Sequence, residues 1–457
     1  MQVSETVVYR KRRNVELFGV ILAALFGIGG LLLTHWNRDG RVSTEVLLIC
    51  GGWLALCLVA HILVRVFISF ADPVILPAVL ALNGLGLAMI HRLDMSLATS
   101  GATTQLIWTL LGIAIFGLIL GFMRDYRVLD GIPYVLFLIG MVMLLLPLIP
   151  GLGSEKFGSR IWIQVGSYSF QPAEVAKILL AISFASYLVE HRDLLTMAGP
   201  KIGKLQLPRL RDLLPILIMW ATALVVLVFE NDLGTSLLFF GLFIMMLYVA
   251  TSQVRWLVIS GGLFVAAAVV VSQLSHVQTR ISSWLDPFSD FDVNYQVIQA
   301  QYGMAWGGLF GRGWGLGRPQ MIPVASSDFI SAAIGEELGI VGLIALIILY
   351  GLLISRGLKT ALAMPDDFGK LLAAGFSFVF GLQTFAIIGG VTRLLPLTGL
   401  TTPFVSQGGS SLVCNWAIIA IIMVISHEAR RPRTTEKAPI VADFADDRTQ
   451  IIDVNEK

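Results

Sequence analysis

The chain is predicted to be an all-α polytopic membrane protein of about twelve transmembrane helices with one large extracytoplasmic loop. Three observations predict it. Hydrophobic residues make up 56% of the 457 residues and charged residues only 14%, against roughly 25% charged in a soluble domain, and the mean hydropathy is +0.81. Apolar stretches near or above the roughly 18–20 residues that cross a bilayer recur along the chain, each bounded by charged residues or by Gly and Pro. The lysines and arginines fall in alternate connections, the asymmetry that orients membrane helices.

Taken in order, the expected spans are 15–34, 45–64, 74–93, 103–122, 130–149, 172–189, 212–229, 234–251, 255–274, 327–355, 370–391 and 404–426. The basic cluster Arg10 to Arg13 precedes an apolar run too long for a signal-peptide core and without an Ala-x-Ala cleavage site, so the first run is expected to stay as a helix. Arg124 and Arg127, then Arg192 to Arg211, then Arg356 and Lys359, then Arg430 to Arg433 share one side with that cluster. Both termini are therefore expected in the cytoplasm, and the segment 275–326 on the outer face. Residues 428–457, with few large apolar side chains, are expected to form a disordered cytoplasmic tail.

Composition and missing motifs exclude several function classes. The basic residues flank spans and do not gather with aromatics, which argues against nucleic-acid binding. Cys50, Cys57 and Cys414 all fall in expected spans and read as small apolar side chains. There is no G-x-x-x-x-G-K-[ST] loop for ATP, no G-x-S-x-G elbow, and no pair of histidines at metal-ligand spacing. Transport remains, as does acid–base chemistry on a substrate that carries its own leaving group.

An ionisable residue at membrane depth is expensive and so a functional candidate. Glu174 and Lys177 are three apart, on one helical face behind Pro172, and should pair either with each other or across helices. Glu230 and Asp232 sit in a very short outer turn, where helix N-capping explains Asp232; Asp328 is read likewise as a cap of the tenth span. Glu336 and Glu337 lie over two turns into that span and need polar neighbours or a water-filled cavity. The Gly-rich runs 306–318 and 398–411, with Arg312, Arg318 and Arg393 nearby, either receive a diphosphate or serve as flexible loops and close helix contacts. The outer segment 275–326 adds Asp286, Asp290 and Asp292 together with Arg280 and several aromatic residues.

Nine motifs in order, from about Asp72 to His427, carry a family resemblance. They are Gly158-Ser-Arg-Ile-Trp-Ile, Gln171-Pro-Ala-Glu-Val-Ala-Lys, Asn231-Asp-Leu-Gly-Thr-Ser, Trp284-Leu-Asp-Pro-Phe-Ser-Asp, Tyr295-Gln-Val-Ile-Gln-Ala, Gly311-Arg-Gly-Trp-Gly-Leu-Gly, Ser327-Asp-Phe-Ile, Gly335-Glu-Glu-Leu-Gly-Ile-Val-Gly and the run from Leu395 to Ser411. The chain resembles the SEDS family (shape, elongation, division and sporulation) of RodA and FtsW peptidoglycan polymerases. The segment Gln383 to Gly399 looks like the actinobacterial, elongation-type RodA branch. The resemblance implies a ten-helix core over 72–427, with residues 15–71 as two additional N-terminal helices and 1–14 as a cytoplasmic N-terminus.

It further implies a glycosyltransferase that polymerises lipid II on the outer face of the cytoplasmic membrane for cell-wall elongation and cell shape, releasing undecaprenyl diphosphate. The family's essential acid follows an Asp-Pro pair by four residues; here Asp286-Pro287 leads to Asp290. Asp290 would serve as general base on the GlcNAc 4-hydroxyl, or as ligand of a divalent cation, Mg or Mn. Arg280, Arg160, Lys177 with Glu174, and Arg393 are implied around the diphosphates, with Ser406 and Ser410 of the last motif as further substrate-binding groups. After Asp290 the chain is one residue shorter than the family's Asp-Pro-x-Gly-x-Gly-Tyr, which keeps Asp292 and Asp286 as alternatives. The usual Glu and His before Ser-Asp-Phe are replaced in Ile322-Pro-Val-Ala-Ser-Ser-Asp-Phe. A class B penicillin-binding protein transpeptidase is the implied partner. Competing readings are a lipid II flippase, a sugar-type major facilitator, disfavoured by the missing Gly-x-x-x-Asp-Arg signature, and a scaffold for other wall enzymes.

Overall fold

The computed structural model describes residues 11–123, 125–156, 159–166, 168–196, 201–202, 205–206 and 210–432. The N-terminal tip and nearly all of the expected tail lie outside the described residues, as do Arg124, Gly158 and Lys204. Every expected span falls on a helix. The first two are α1 (Arg13–Asp39) and α2 (Thr44–Phe67), the latter capped by Ser43, whose side chain accepts from the Val46 amide. Then come α3 (Ile75–Leu97), α4 (Gly101–Phe122) and α5 (Pro133–Leu145), which opens on proline.

A feature the helical periodicity did not announce follows. Residues 153–170 form a small antiparallel sheet, β1 (Gly153–Lys156), β2 (Ser159–Val165) and β3 (Tyr168–Phe170), with Ile163 paired to Gly153 on one side and Phe170 on the other. Next are α6 (Pro172–Glu190), the short α7 (Arg192–Thr196), a two-residue ladder of β4 (Lys201–Ile202) with β5 (Leu205–Gln206), α8 (Leu210–Phe229), α9 (Leu233–Thr251) and α10 (Arg255–Val271).

The acid-rich connection 275–326 carries helices of its own. It comprises α11 (Ser275–Leu285), a 3₁₀ turn at Pro287–Ser289 and α12 (Phe291–Gly307), before a turn-rich stretch leads to α13 (Ile330–Ala363). Then α14 (Asp367–Val391) and α15 (Gly409–Arg430) close the bundle. Among the described residues nine helices are long and apolar enough to cross a membrane, and two shorter apolar ones lie at Pro133–Leu148 and Arg255–Val271. The chain is an all-α polytopic membrane protein with a minor β element.

Burial sorts the helices into layers. In α3, α6 and α15 most positions are buried, so these form the centre, whereas α10 buries only Trp256 and Ser260 and turns apolar side chains outward all round. Outward apolar surface is what a helix facing lipid presents. The three cysteines are free and buried, as expected.

At the end of the bundle holding Arg13 and Arg430, a polar knot ties the first two helices to the rest. Arg13 donates to Glu16 and to the Ala71 carbonyl, His61 contacts Glu16 at 2.9 Å, and Asp72 receives Arg430 and lies 3.8 Å from Arg356.

Helix α13 is two helices end to end. Gly339 stands between them at φ 69°, ψ −167°, and a Cβ there would sit 2.3 Å from the Gly311 amide nitrogen, so only glycine fits. The break ends the first piece at Glu336 and Glu337, which explains how two acids lie so far into an apolar run. Glu337 takes Arg92 Nε at 2.7 Å and the Gly315 amide at 2.9 Å; Glu336 takes the Arg318 amide at 2.5 Å.

Candidate active site

At the end of the bundle away from Arg13 and Arg430, the starts of α6, α9, α13 and α15 surround a cavity of about 360 Å³. One wall is the small sheet, through Ser159, Ile161, Trp162 and Ser169. Gln171 and Glu174 enter from the first turn of α6, and Asn231, Asp232 and Thr235 from the turn between α8 and α9. Arg280 of α11 and Gln296 of α12 close another side, with Ser327, Asp328 and the stretch Leu397 to Thr401 completing the rim. Sequence-distant segments are held in register by hydrogen bonds: the Gln407 amide donates to the Ser326 carbonyl at 2.8 Å, and the Ser406 side chain donates through Oγ to the Ser327 carbonyl at 2.5 Å.

The cavity brings three carboxylates and one arginine to one surface: Glu174, Asp232, Asp328 and Arg280. Asp232 does cap α9, its Oδ1 accepting from the Thr235 amide at 2.9 Å, but Oδ2 is buried with no hydrogen-bond partner. Burial drives its carboxyl above the ordinary range, and the nearby Arg280 charge opposes that rise. Glu230, one residue before Asn231, is 1% exposed; burial, then the Asp232 charge, pushes its carboxyl up to about 8, and its Oε2 also lacks a partner. Asp328 is raised by burial too, against a hydrogen bond from Ser327 and the charge of Arg280. It does not cap α13: the N-cap position is Phe329, without a side-chain bond, and Asp328 faces the cavity instead.

The residues singled out from the sequence fall into three groups. Glu174 and Arg280 line the cavity; Lys177 sits behind Glu174, its Nζ donating to the Glu174 carboxylate at 2.7 Å with both side chains buried. Arg280 also reaches the Leu397 carbonyl at 3.4 Å. A second group braces the surroundings. Arg393, in left-handed backbone at φ 61°, donates to the Trp284 carbonyl at 2.9 Å and accepts the Trp284 indole N–H on its own carbonyl at 3.0 Å, pinning the end of α11 to the end of α14. It borders a smaller cavity of about 150 Å³ that shares Arg280, Gln296 and Leu397 with the first. Ser406 and Ser410 are buried in the packing behind the rim.

The third group lies outside both cavities. Arg160 has an exposed side chain, and its amide donates to the Glu230 carbonyl at 3.2 Å. Asp286, Asp290 and Asp292 are exposed at the corner between α11 and α12. Asp290 is the N-cap of α12, its Oδ1 accepting from the amides of Asp292 at 3.2 Å and Val293 at 3.1 Å; Asp286 accepts from the Phe288 amide at 3.1 Å. The Gly-rich run 306–318 likewise packs on α1, α3 and α13 rather than on the cavity, whereas Thr398 to Thr401 of the second Gly-rich run do line it. Among the described residues no three His, Cys, Asp or Glu side chains are grouped as metal ligands. Among the described residues the donor set does not form a cation centre of its own.

Comparison with known proteins extends the picture beyond the site. The profile of the FtsW/RodA/SpoVE family, a cell cycle protein family, matches residues 73–431. The chain is 46% identical over 443 residues to the peptidoglycan glycosyltransferase RodA of Mycobacterium tuberculosis, covering 94% of each, and 44% identical over 430 residues to that of Mycobacterium leprae, covering 92% of each. Stage V sporulation protein E of Bacillus subtilis is 34% identical over 300 residues. A solved structure described as a peptidoglycan synthase complex that coordinates polymerization and crosslinking superposes with a TM-score of 0.65 at 26% identity, covering 79% of this chain and 99% of that one. The rod shape determining protein RodA of Thermus thermophilus shares the fold, with a TM-score of 0.58. The chain belongs to the SEDS family of FtsW, RodA and SpoVE proteins and resembles its actinobacterial RodA members.

Proposed function

We propose that this peptidoglycan glycosyltransferase polymerises lipid II at the 360 Å³ cavity, transferring the growing glycan from undecaprenyl diphosphate to the GlcNAc 4-hydroxyl of the next lipid II. The observation that carries the reading is the convergence of Glu174, Asp232, Asp328 and Arg280 on one cavity at one end of a membrane bundle. Arg280, a forked and permanently charged donor, suits a diphosphate oxygen. Glu174, neutralised by Lys177, can accept from sugar hydroxyls.

A general base removes the 4-hydroxyl proton as that oxygen attacks the anomeric carbon. The bond to the diphosphate breaks, undecaprenyl diphosphate leaves with the electron pair, and the anomeric centre inverts. Asp290 is the proposed base. It stands six residues before Gln296 on α12, about 9 Å along the axis from the cavity wall, within the span of a substrate carrying two sugars and a diphosphate. A second reading assigns the proton to Asp232, favoured by its buried, unpartnered Oδ2 in the cavity itself.

The reading includes an orientation and a partner. Both termini are cytoplasmic and the cavity faces outward, supported by the basic residues shared by the terminal side. Residues 15–71 are an appended helix pair, 72–427 the glycosyltransferase core, and 1–14 and 428–457 cytoplasmic ends. A class B penicillin-binding protein is the partner, supported by the likeness to a synthase complex that joins polymerization and crosslinking.

The test is strand synthesis by purified protein with lipid II, comparing Asp290→Asn and Asp232→Asn. General-base loss should cost roughly 10²–10⁴-fold in whichever variant removes the base. Undiminished synthesis in both variants would remove the base from these two positions, whereas no strand synthesis by the wild-type protein would favour a lipid II flippase.

A further inference from the structure

Helices α1 and α2 precede the stretch that the family profile matches, which starts at residue 73. They are nevertheless not peripheral. The outer end of α1 meets the Gly-rich run between α12 and α13, and that run is held from two sides. From α1, Asn37 Nδ2 donates to the Trp314 carbonyl at 2.7 Å. The Trp314 ring lies over Gly30, where a Cβ would come within 3.3 Å of it. Gly315, at φ 77°, sits so close to Thr34 that a Cβ would lie 3.1 Å from the Thr34 carbonyl oxygen.

From the other side, the broken end of the first piece of α13 grips the same run. Glu337 accepts the Gly315 amide at 2.9 Å, and the backbone carbonyls of Glu336 and Glu337 accept the amides of Arg312 at 3.0 Å and Gly313 at 2.9 Å. Arg92 of α3 locks the two together, donating to Glu337 at 2.7 Å and to the Gly317 carbonyl at 2.8 Å. Its Nη1 shares Ser96 Oγ with Arg38 of α1, at 2.6 and 2.7 Å. The clamped elements lead directly to the cavity. The piece of α13 that ends at Glu337 begins just after Asp328, and the Gly-rich run continues α12, which carries Gln296 in the wall and Asp290 at its cap.

We infer that α1 is a positioning element of the active site: Asn37, with the Gly30 and Thr34 face of α1, seats Trp314 and Gly315 and so holds α12 and the start of α13 at the geometry that presents Asp328 and Gln296. The inference rests on the cavity being the active site. Asn37 and Trp314 touch no substrate; they are positioning residues. Losing the exposed Asn37–Trp314 hydrogen bond, about 0.5–1.5 kcal/mol, corresponds to roughly a 2–10-fold fall if it is felt in the transition state.

The experiment uses the full-length protein with lipid II and measures kcat, KM, thermal stability and hydrogen exchange of residues 308–318 for Asn37→Ala, Asn37→Gln and Trp314→Ala. Asn37→Ala and Trp314→Ala should accelerate exchange in 308–318 and lower kcat several-fold. KM should stay within about twofold, with an unfolding midpoint close to wild type, and Asn37→Gln, which keeps the donor, should recover part of the loss. Faster exchange with unchanged kcat in both variants overturns the inference, as does a fall in kcat that only follows the folded fraction. Arg280→Ala, assayed in parallel, separates this from the underlying reading: full activity there refutes the cavity as the active site, whatever α1 does.

Discussion

Two acidic regions lie within a helix length of each other, and their carboxylates live in opposite circumstances. At the corner between α11 and α12, Asp286, Asp290 and Asp292 are exposed, and the first and second are engaged as caps of the turns that follow them. In the cavity and just behind it, Asp232 and Glu230 are drawn out of water and each keep an oxygen without a partner, Asp328 is half-buried, and burial raises all three carboxyls. Surroundings decide how far the protein controls a carboxylate. One that is buried beside another acid and opposite an arginine has a proton affinity set by the protein. Three acids within seven residues are conspicuous in a sequence; Glu174, Asp232 and Asp328, from three separate segments, come together only in space.

After the Asp290 and Asp232 variants, the next largest effect should come from the cation that the cavity offers to a diphosphate. Arg280→Ala should lower kcat/KM for lipid II by roughly 10–100-fold, the range of a charge-assisted hydrogen bond. Arg280→Lys should recover only part, because a point charge does not reproduce the guanidinium fork. Steady-state polymerisation kinetics would check both, and equal activity of Arg280→Ala and wild type would erase the distinction between cavity and corner.

A smaller effect concerns pH. Glu230 has its carboxyl raised from 4.5 to about 8, so the folded protein holds that proton more tightly than the unfolded chain. The associated stability is fully present below about 4.5 and is lost as pH rises through about 8. Thermal unfolding followed from pH 5 to 9 should show the midpoint falling toward the alkaline end, and Glu230→Gln should flatten that fall. A pH profile unchanged by Glu230→Gln would mean the carboxyl is solvated after all. The smallest effect belongs to the corner: Asp286→Ala removes a capping acceptor on an exposed turn and should cost about 0.5–1 kcal/mol in chemical unfolding, with polymerisation close to wild type. A large catalytic loss there would give Asp286, rather than Asp290, the place in the chemistry.

Much of this protein was legible in its sequence. Every apolar run became a helix, because a bilayer-spanning backbone must satisfy its own hydrogen bonds and apolar composition alone marks the segments that do so. The Glu174–Lys177 pair was legible from a three-residue spacing on one helix, and the cap role of Asp232 from its place before an apolar run. The small sheet at 153–170 escaped, since three strands of at most seven residues carry little periodicity. The helical character of 275–307 is not legible in its polar composition, which suits a surface connection equally well.

What the sequence by itself determined is the class of protein, its family, and the inventory of charged groups that must be accounted for near the membrane. Only the tertiary structure decided which of them meet. Asp232 and Asp328 are ninety-six positions apart and Arg280 stands between them in the chain, yet all three line one cavity. Asp290, close to Arg280 in sequence, ends on the surface as a helix cap. The physical reason is that helix ends converge where packing brings them, and burial, which sets the chemistry of a carboxylate, is a property of that convergence and of no single segment.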